Sequence, residues 1–159
     1  MRTKLLVCCI AFLAAAGSLL AADPFAGTWN MNIAKSKPAP APPGMAVMEE
    51  TLIVRETGDH FDVTARGTHE NGSAISSHTL LPLNGGAIIF PDGAPPAGAA
   101  LVMKRVNDHA FDLIRMSNAK VVSVNHITVS ADGKTMLGDI AGLDTQGKAV
   151  HGMEVWDKQ

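Results

Sequence analysis

The chain has 159 residues, 47% of them hydrophobic, and a formal net charge of −2. One domain is the expectation at this length. No basic run or stripe appears beyond the first residues, which argues against a nucleic-acid partner.

The N-terminus reads as an export signal. Arg2 and Lys4 give a positive start, Leu5 to Ala16 is an uncharged apolar run, and small residues follow at Ala21 and Ala22. Charged, apolar, then small is the order of a cleavable signal peptide. The expected cut follows Ala22, with Ala21 as the alternative. This divides the chain into a signal peptide, 1–22, and a single β-barrel domain, 23–159. A retained anchor is the rival, but a spanning helix needs about 20 apolar residues and this run is shorter. No later stretch is long enough to cross as a helix. Cys8 and Cys9, the only cysteines, lie inside the apolar run and leave with it. Val7 rather than a small residue precedes them, which argues against a lipid-anchored cysteine. The expected location is therefore periplasmic or secreted, with a mature domain held by its core alone.

Period-2 alternation bounded by Gly, Asn, Asp and Pro recurs along the rest. It predicts strands near Gly27–Ile33, Met48–Glu56, His60–Thr68, Ala74–Leu83, Ala87–Phe90, Ala99–Val106, Ala110–Ser117, Val121–Val129, Thr135–Leu143 and Ala149–Asp157. No window gives a convincing amphipathic helix. Two Pro- and Ala-rich stretches, Lys37–Gly44 and Pro91–Gly98, should be extended loops, because proline lacks a backbone donor. The first is expected to be a surface connector, with a lid as the alternative.

Turn residues suggest registers. Asn71-Gly72 between two β-like runs signals a hairpin. A two-residue turn there pairs Ala65 with His78 and Val63 with Leu80, which puts His78 on the apolar face with Phe61. Further on, Ser130-Ala131-Asp132-Gly133-Lys134 and Asp144-Thr145-Gln146-Gly147-Lys148 both place Gly before Lys. Three-residue loops with left-handed Gly would set Val124 opposite Ile140 and Ile140 opposite Gly152. They would also set His126 opposite Gly138, and Gly138 opposite Glu154. The face with Val122, Val124, Met136, Ile140, Val150 and Trp156 is the expected interior, and it carries His126 and Glu154. A slip of one residue would reverse that assignment.

About eight to ten strands joined by tight turns predict an all-β, antiparallel up-and-down meander. Closure into a barrel removes exposed edges. A β-sandwich is the alternative.

The opening Phe25-Ala26-Gly27-Thr28-Trp29 resembles the calycin group, the lipocalins and fatty-acid-binding proteins. There, Phe-x-Gly-Thr-Trp starts the first strand and the Trp packs across one end of the barrel. The chain is also similar to small secreted bacterial proteins of unassigned function that open with Gly-Thr-Trp and end in an Asp-Gly-Lys hairpin. The resemblance implies a barrel with Trp29 at one end. In lipocalins an Arg on a late strand packs over that Trp; Arg115 or Arg105 could do so here, though a surface position is expected for both. Three departures limit the carry-over. The place of the fatty-acid-binding helical lid is taken by Lys37–Gly44. The chain has no Tyr for their carboxylate clamp, and no terminal helix like that of lipocalins.

His78, His126 and Glu154 are the polar residues expected inside, and hence the candidate ligand-binding residues. His126 and Glu154 should flank Gly138 about 10 Å apart across three strands. Mutual satisfaction of His and Glu in the core is the commoner fate of such groups. The functional alternative is that they orient a ligand in a pocket. A metal site built from the same three is the third alternative. His60, His69, His109 and His151 add no ligand spacing to it. Glu49-Glu50 looks like solvated charge, and no catalytic motif or cofactor fingerprint is present. The leading expectation is a barrel that binds an apolar or amphipathic small molecule, which requires a cavity of about 300 Å³ or more. The alternatives are a non-enzymatic cell-envelope interaction module with a solid core, and a metal-binding protein or metal-dependent enzyme.

Overall fold

A computed structural model describes residues 22–93, 98–144 and 146–159. The expected export signal, apart from Ala22, and the middle of the Pro91–Gly98 stretch lie outside the described residues. Among those described there is no helix.

The ten strands are β1 (Gly27–Met31), β2 (Val47–Thr57), β3 (His60–His69), β4 (Ala74–Pro82), β5 (Gly86–Ala87), β6 (Ala99–Asn107), β7 (Ala110–Ser117), β8 (Lys120–Val129), β9 (Thr135–Leu143) and β10 (Ala149–Lys158). Every hydrogen-bonded pairing is antiparallel, and the order is β4-β3-β2-β1-β10-β9-β8-β7-β6-β5. The first and last long strands are therefore neighbours. The sheet's two ends meet at β4 and β5, where Leu80 and Ile89 exchange backbone hydrogen bonds of 2.9 and 3.0 Å. The result is an up-and-down barrel, nearly closed, with one unsealed seam. β1 stops at Met31, short of Ile33, because the chain turns at Asn32, whose carbonyl accepts from the Lys35 and Ser36 amides.

One end is packed solid. Trp29 is fully buried, and its indole Nε1 donates to the Phe25 carbonyl at 2.8 Å. The Phe25 ring lies 4.6 Å from Phe111 and 6.2 Å from Phe61. Met136, Val129 and Trp156 complete this layer. Arg105 closes it. Its guanidinium stands 5.3 Å from the Phe25 ring centre and donates to Asp23 at 2.8 Å. The cation over Trp29 is neither Arg115 nor Arg105 but Lys158, 4.8 Å from the ring and bonded to the Pro24 carbonyl. The Phe-x-Gly-Thr-Trp segment thus plugs the barrel as the resemblance implies.

Two of the expected registers are off by one residue. In the β3–β4 hairpin the His69 amide donates to Ser73, and only Gly72 (φ +80°) is left-handed. The loop is Glu70-Asn71-Gly72, three residues rather than two. Ala65 therefore pairs with Ser77, and His78 pairs with Thr64 on the outer face. In the β8–β9 hairpin Ser130 bonds Thr135, leaving four residues between them instead of three. His126 then pairs with Asp139, also outside, while Asn125 and Ile127 turn inward opposite Ile140 and Gly138. The β9–β10 register is the expected one, with Gly138 opposite Glu154 and Ile140 opposite Gly152. The two-residue turn occurs elsewhere, at Asn118-Ala119 between β7 and β8, with both residues at positive φ (48° and 61°).

Candidate functional site

Strand alternation fixes what faces inward at the end opposite Trp29. β6 contributes Leu101, β7 Leu113 and Arg115, β8 Ser123 and Asn125, β9 Ile140 and Gly142, and β10 Val150. These residues line a cavity of about 900 Å³, open on one side. Leu143 and Asp144 form part of its rim.

The Pro-rich segment roofs the cavity. Ala39, Pro40, Ala41, Pro42 and Pro43 all line it. One end of this strap is tied to β10, where Lys37 and Met153 exchange backbone hydrogen bonds of 2.7 and 2.8 Å. The other end is tied to the β3–β4 hairpin, where the Asn71 amide donates to Gly44 and Glu70 to Ala46. Between these ties the strap crosses Gly152. A Cβ at Gly152 would stand 2.9 Å from Ala39 Cα, so only glycine admits the strap there. The segment is a largely exposed connector between β1 and β2, as expected, and residues 39–43 also border the cavity. Proline suits it, since a strap without sheet partners gains from fewer unpaired amide donors.

The lining is mostly apolar, with its polar groups grouped on β7 and β8. Asn125 packs against Gly138, where an added Cβ would meet its Oδ1 at 3.0 Å. That Oδ1 is buried and has no hydrogen-bond partner, and among the described residues no other side-chain N or O shares this condition. Arg115 lies opposite Ser123 and makes no ion pair among the described residues.

Glu154 faces inward as expected. Burial pushes its carboxyl above the usual carboxylate range. Its titrating neighbour is not His126 but Glu50, also on the inner face. Glu50 is raised to about 7, first by burial and then by the Glu154 charge. Glu50 is thus not the solvated charge that its sequence context suggests. It lines a second cleft of about 460 Å³ at the end of β1, with Met31, Arg66 and Gly67.

The other two sequence candidates leave the interior. His78 Nε2 stands 3.2 Å from Asp62, and His126 Nδ1 stands 2.6 Å from Asp112, both on the outer wall. His78, His126 and Glu154 therefore do not converge. Among the described residues no three His, Cys, Asp or Glu side chains are placed to hold a metal ion. Asn125, Ser123 and Glu50 were the residues sequence reasoning missed. For Asn125 and Ser123 the signal was loop length, since one added residue at the β8–β9 turn brings both inside; for Glu50 it was the pairing with Gly67.

Neither a protein-family model nor a curated protein matches the chain. Solved structures do. The crystal structure of Rv2717c from M. tuberculosis aligns over 91% of this chain and 98% of its own, with a TM-score of 0.54 and 14% identity. The fold is calycin-like. Weaker alignments join EF1p2_mFAP2b bound to DFHBI and the zebrafish ileal bile acid-binding protein complexed with cholic acid. The former has a TM-score of 0.43 and 11% identity over 87% of this chain and 97% of its own. The latter has a TM-score of 0.37 and 8% identity over 86% and 99%. At these identities the likeness is one of fold.

Proposed function

We propose that this chain is an exported barrel that binds an apolar or amphipathic small molecule under the Pro-rich strap. The observation that carries the proposal is the cavity of about 900 Å³. It exceeds the minimum for a small-molecule site and has the usual make-up, apolar walls with a few polar groups on one side. A packed interior, which an envelope interaction module would have, is not what the mouth of this barrel offers. The metal alternative required His78, His126 and Glu154 to meet, and two of them face outward. Export rests on the N-terminal sequence, and it places the mature domain in the periplasm or outside the cell.

Native mass spectrometry of the mature protein from its host tests both parts. A chain starting at Asp23 with a co-purified small molecule is the expected result. A chain retaining residues 1–22 in the cytoplasmic fraction would refute export. Exchange of the protein against a panel of apolar and amphipathic molecules without a bound species would refute binding.

A further inference from the structure

We infer that the bond cut on export is Ala22–Asp23, and that the ammonium freed on Asp23 is a structural cation held by Glu56 at the closed end of the barrel. This rests on the export part of the proposal above and adds what processing does to the fold. Two observations carry it. First, Asp23 is where the fold takes hold of the chain. Its Oδ2 accepts from Arg105 at 2.8 Å, its Oδ1 from the Phe25 amide at 3.0 Å, and its carbonyl from the Ala26 amide at 2.9 Å. Ala22 is exposed and makes no hydrogen bond among the described residues. Second, the Asp23 nitrogen already has an anionic partner, Glu56 Oε2 at 3.5 Å.

The surroundings favour a positive charge at that nitrogen. Glu56 lies at the end of β2 opposite the inward-facing Phe61, so it borders the end that the Phe25 plug closes. Glu56 makes no ion pair among the described residues. The nearby cation, Arg105, is paired with the Asp23 carboxylate. Hydrolysis of the Ala22–Asp23 bond by water leaves a carboxylate on Ala22 and an ammonium on Asp23. The long amide contact to Glu56 then becomes a charge-assisted one, which is shorter and roughly twice as strong. A cut after Ala21 instead would move the ammonium outward by one residue, about 3.8 Å, and keep a neutral amide beside Glu56. Processing at Asp23 thus fastens the first residue of the plug to β2 as well as to β6.

Thermal unfolding of two chains with fixed ends tests this. One starts at Asp23; the other keeps Leu20, Ala21 and Ala22, which carry its ammonium up to about 10 Å away. The chain starting at Asp23 should melt about 1–4 °C higher at low salt, the range for a partly exposed ion pair in a domain of this size. The gap should close in 1 M sodium chloride, where screening acts within about 3 Å. Glu56→Gln should lower the Asp23 chain to the level of the longer one and leave the longer one unchanged. Equal melting of the two parent chains, or a gap that survives Glu56→Gln, would overturn the inference and leave export standing. N-terminal sequencing of the protein from its host should read Asp23 first. Ala22 first would overturn the bond assignment alone, whereas retention of residues 1–22 would refute export itself.

Discussion

Replacing Glu50 by Gln should make the protein more stable at pH 8 than at present and leave it nearly unchanged at pH 5. Glu50 is an inner-face carboxyl that keeps its proton to about 7 in the fold, against 4.5 for the free group. Burial disfavours its charge, and Glu154 disfavours it further. Between these values the native state holds a proton that the unfolded chain has released. Its stability must then fall as pH rises from 4.5 through 7. At about 1.4 kcal/mol per pH unit, the displacement sets a ceiling of roughly 3 kcal/mol. Glu50 is only partly buried, so solvent screening reduces this to roughly 1–2 kcal/mol. Glutamine keeps the shape and cannot ionise, so it removes this decline. Urea denaturation of both proteins at pH 5, 6, 7 and 8 measures it. Subtracting one series from the other cancels the outer-face histidines, which both proteins share. A difference between variant and parent that stays level or shrinks from pH 5 to pH 8 would refute the reasoning.

Other outcomes follow from the same geometry. Trp29→Ala should cost about 3–5 kcal/mol in chemical denaturation, the usual loss for a buried aromatic, since Trp29 has no exposed surface. Gly152→Ala should lift the strap from β10, read as faster hydrogen exchange at the Lys37 and Met153 amides with the β9–β10 pairing retained. Ala119→Gly should stabilise the protein by about 0.5–1 kcal/mol, because Ala119 holds a left-handed φ of 61° that glycine adopts without strain. His78→Ala and His126→Ala should leave small-molecule affinity unchanged, since both side chains lie on the outer wall; a loss of binding in either would contradict the registers.

The strand content, the meander and the Trp29 plug were legible because they depend on alternation and on a local motif. The inner and outer faces depended on turn length, which similar residues do not determine. Gly-Lys follows both C-terminal loops, yet Asp144 closes on Lys148 whereas Ser130 closes on Thr135. That single residue exchanges His126 and Val124 for Asn125 and Ile127. At the β3–β4 turn, Asn71 keeps a negative φ and Gly72 alone is left-handed, so the loop gains Glu70 and His78 turns outward. Glu154 was placed correctly because its hairpin had the expected loop. Glu50 was hidden because adjacent carboxylates in a strand look alike in sequence, and only the pairing with Gly67 marks Glu50 as inward. The strap was readable as Pro-rich, but its course over the mouth depends on Gly152, far away in sequence.

The central claim is that the mouth of the barrel, and not its outer wall, receives the ligand. Methyl-resolved NMR during titration with N-decanoylglycine tests it most directly. The account predicts shifts at Leu101, Leu113, Ile140 and Val150, with Val54, Leu81 and Val129 at the packed end unmoved. Shifts confined to outward methyls such as Ile89 and Val106, or none at any of these sites, would contradict it.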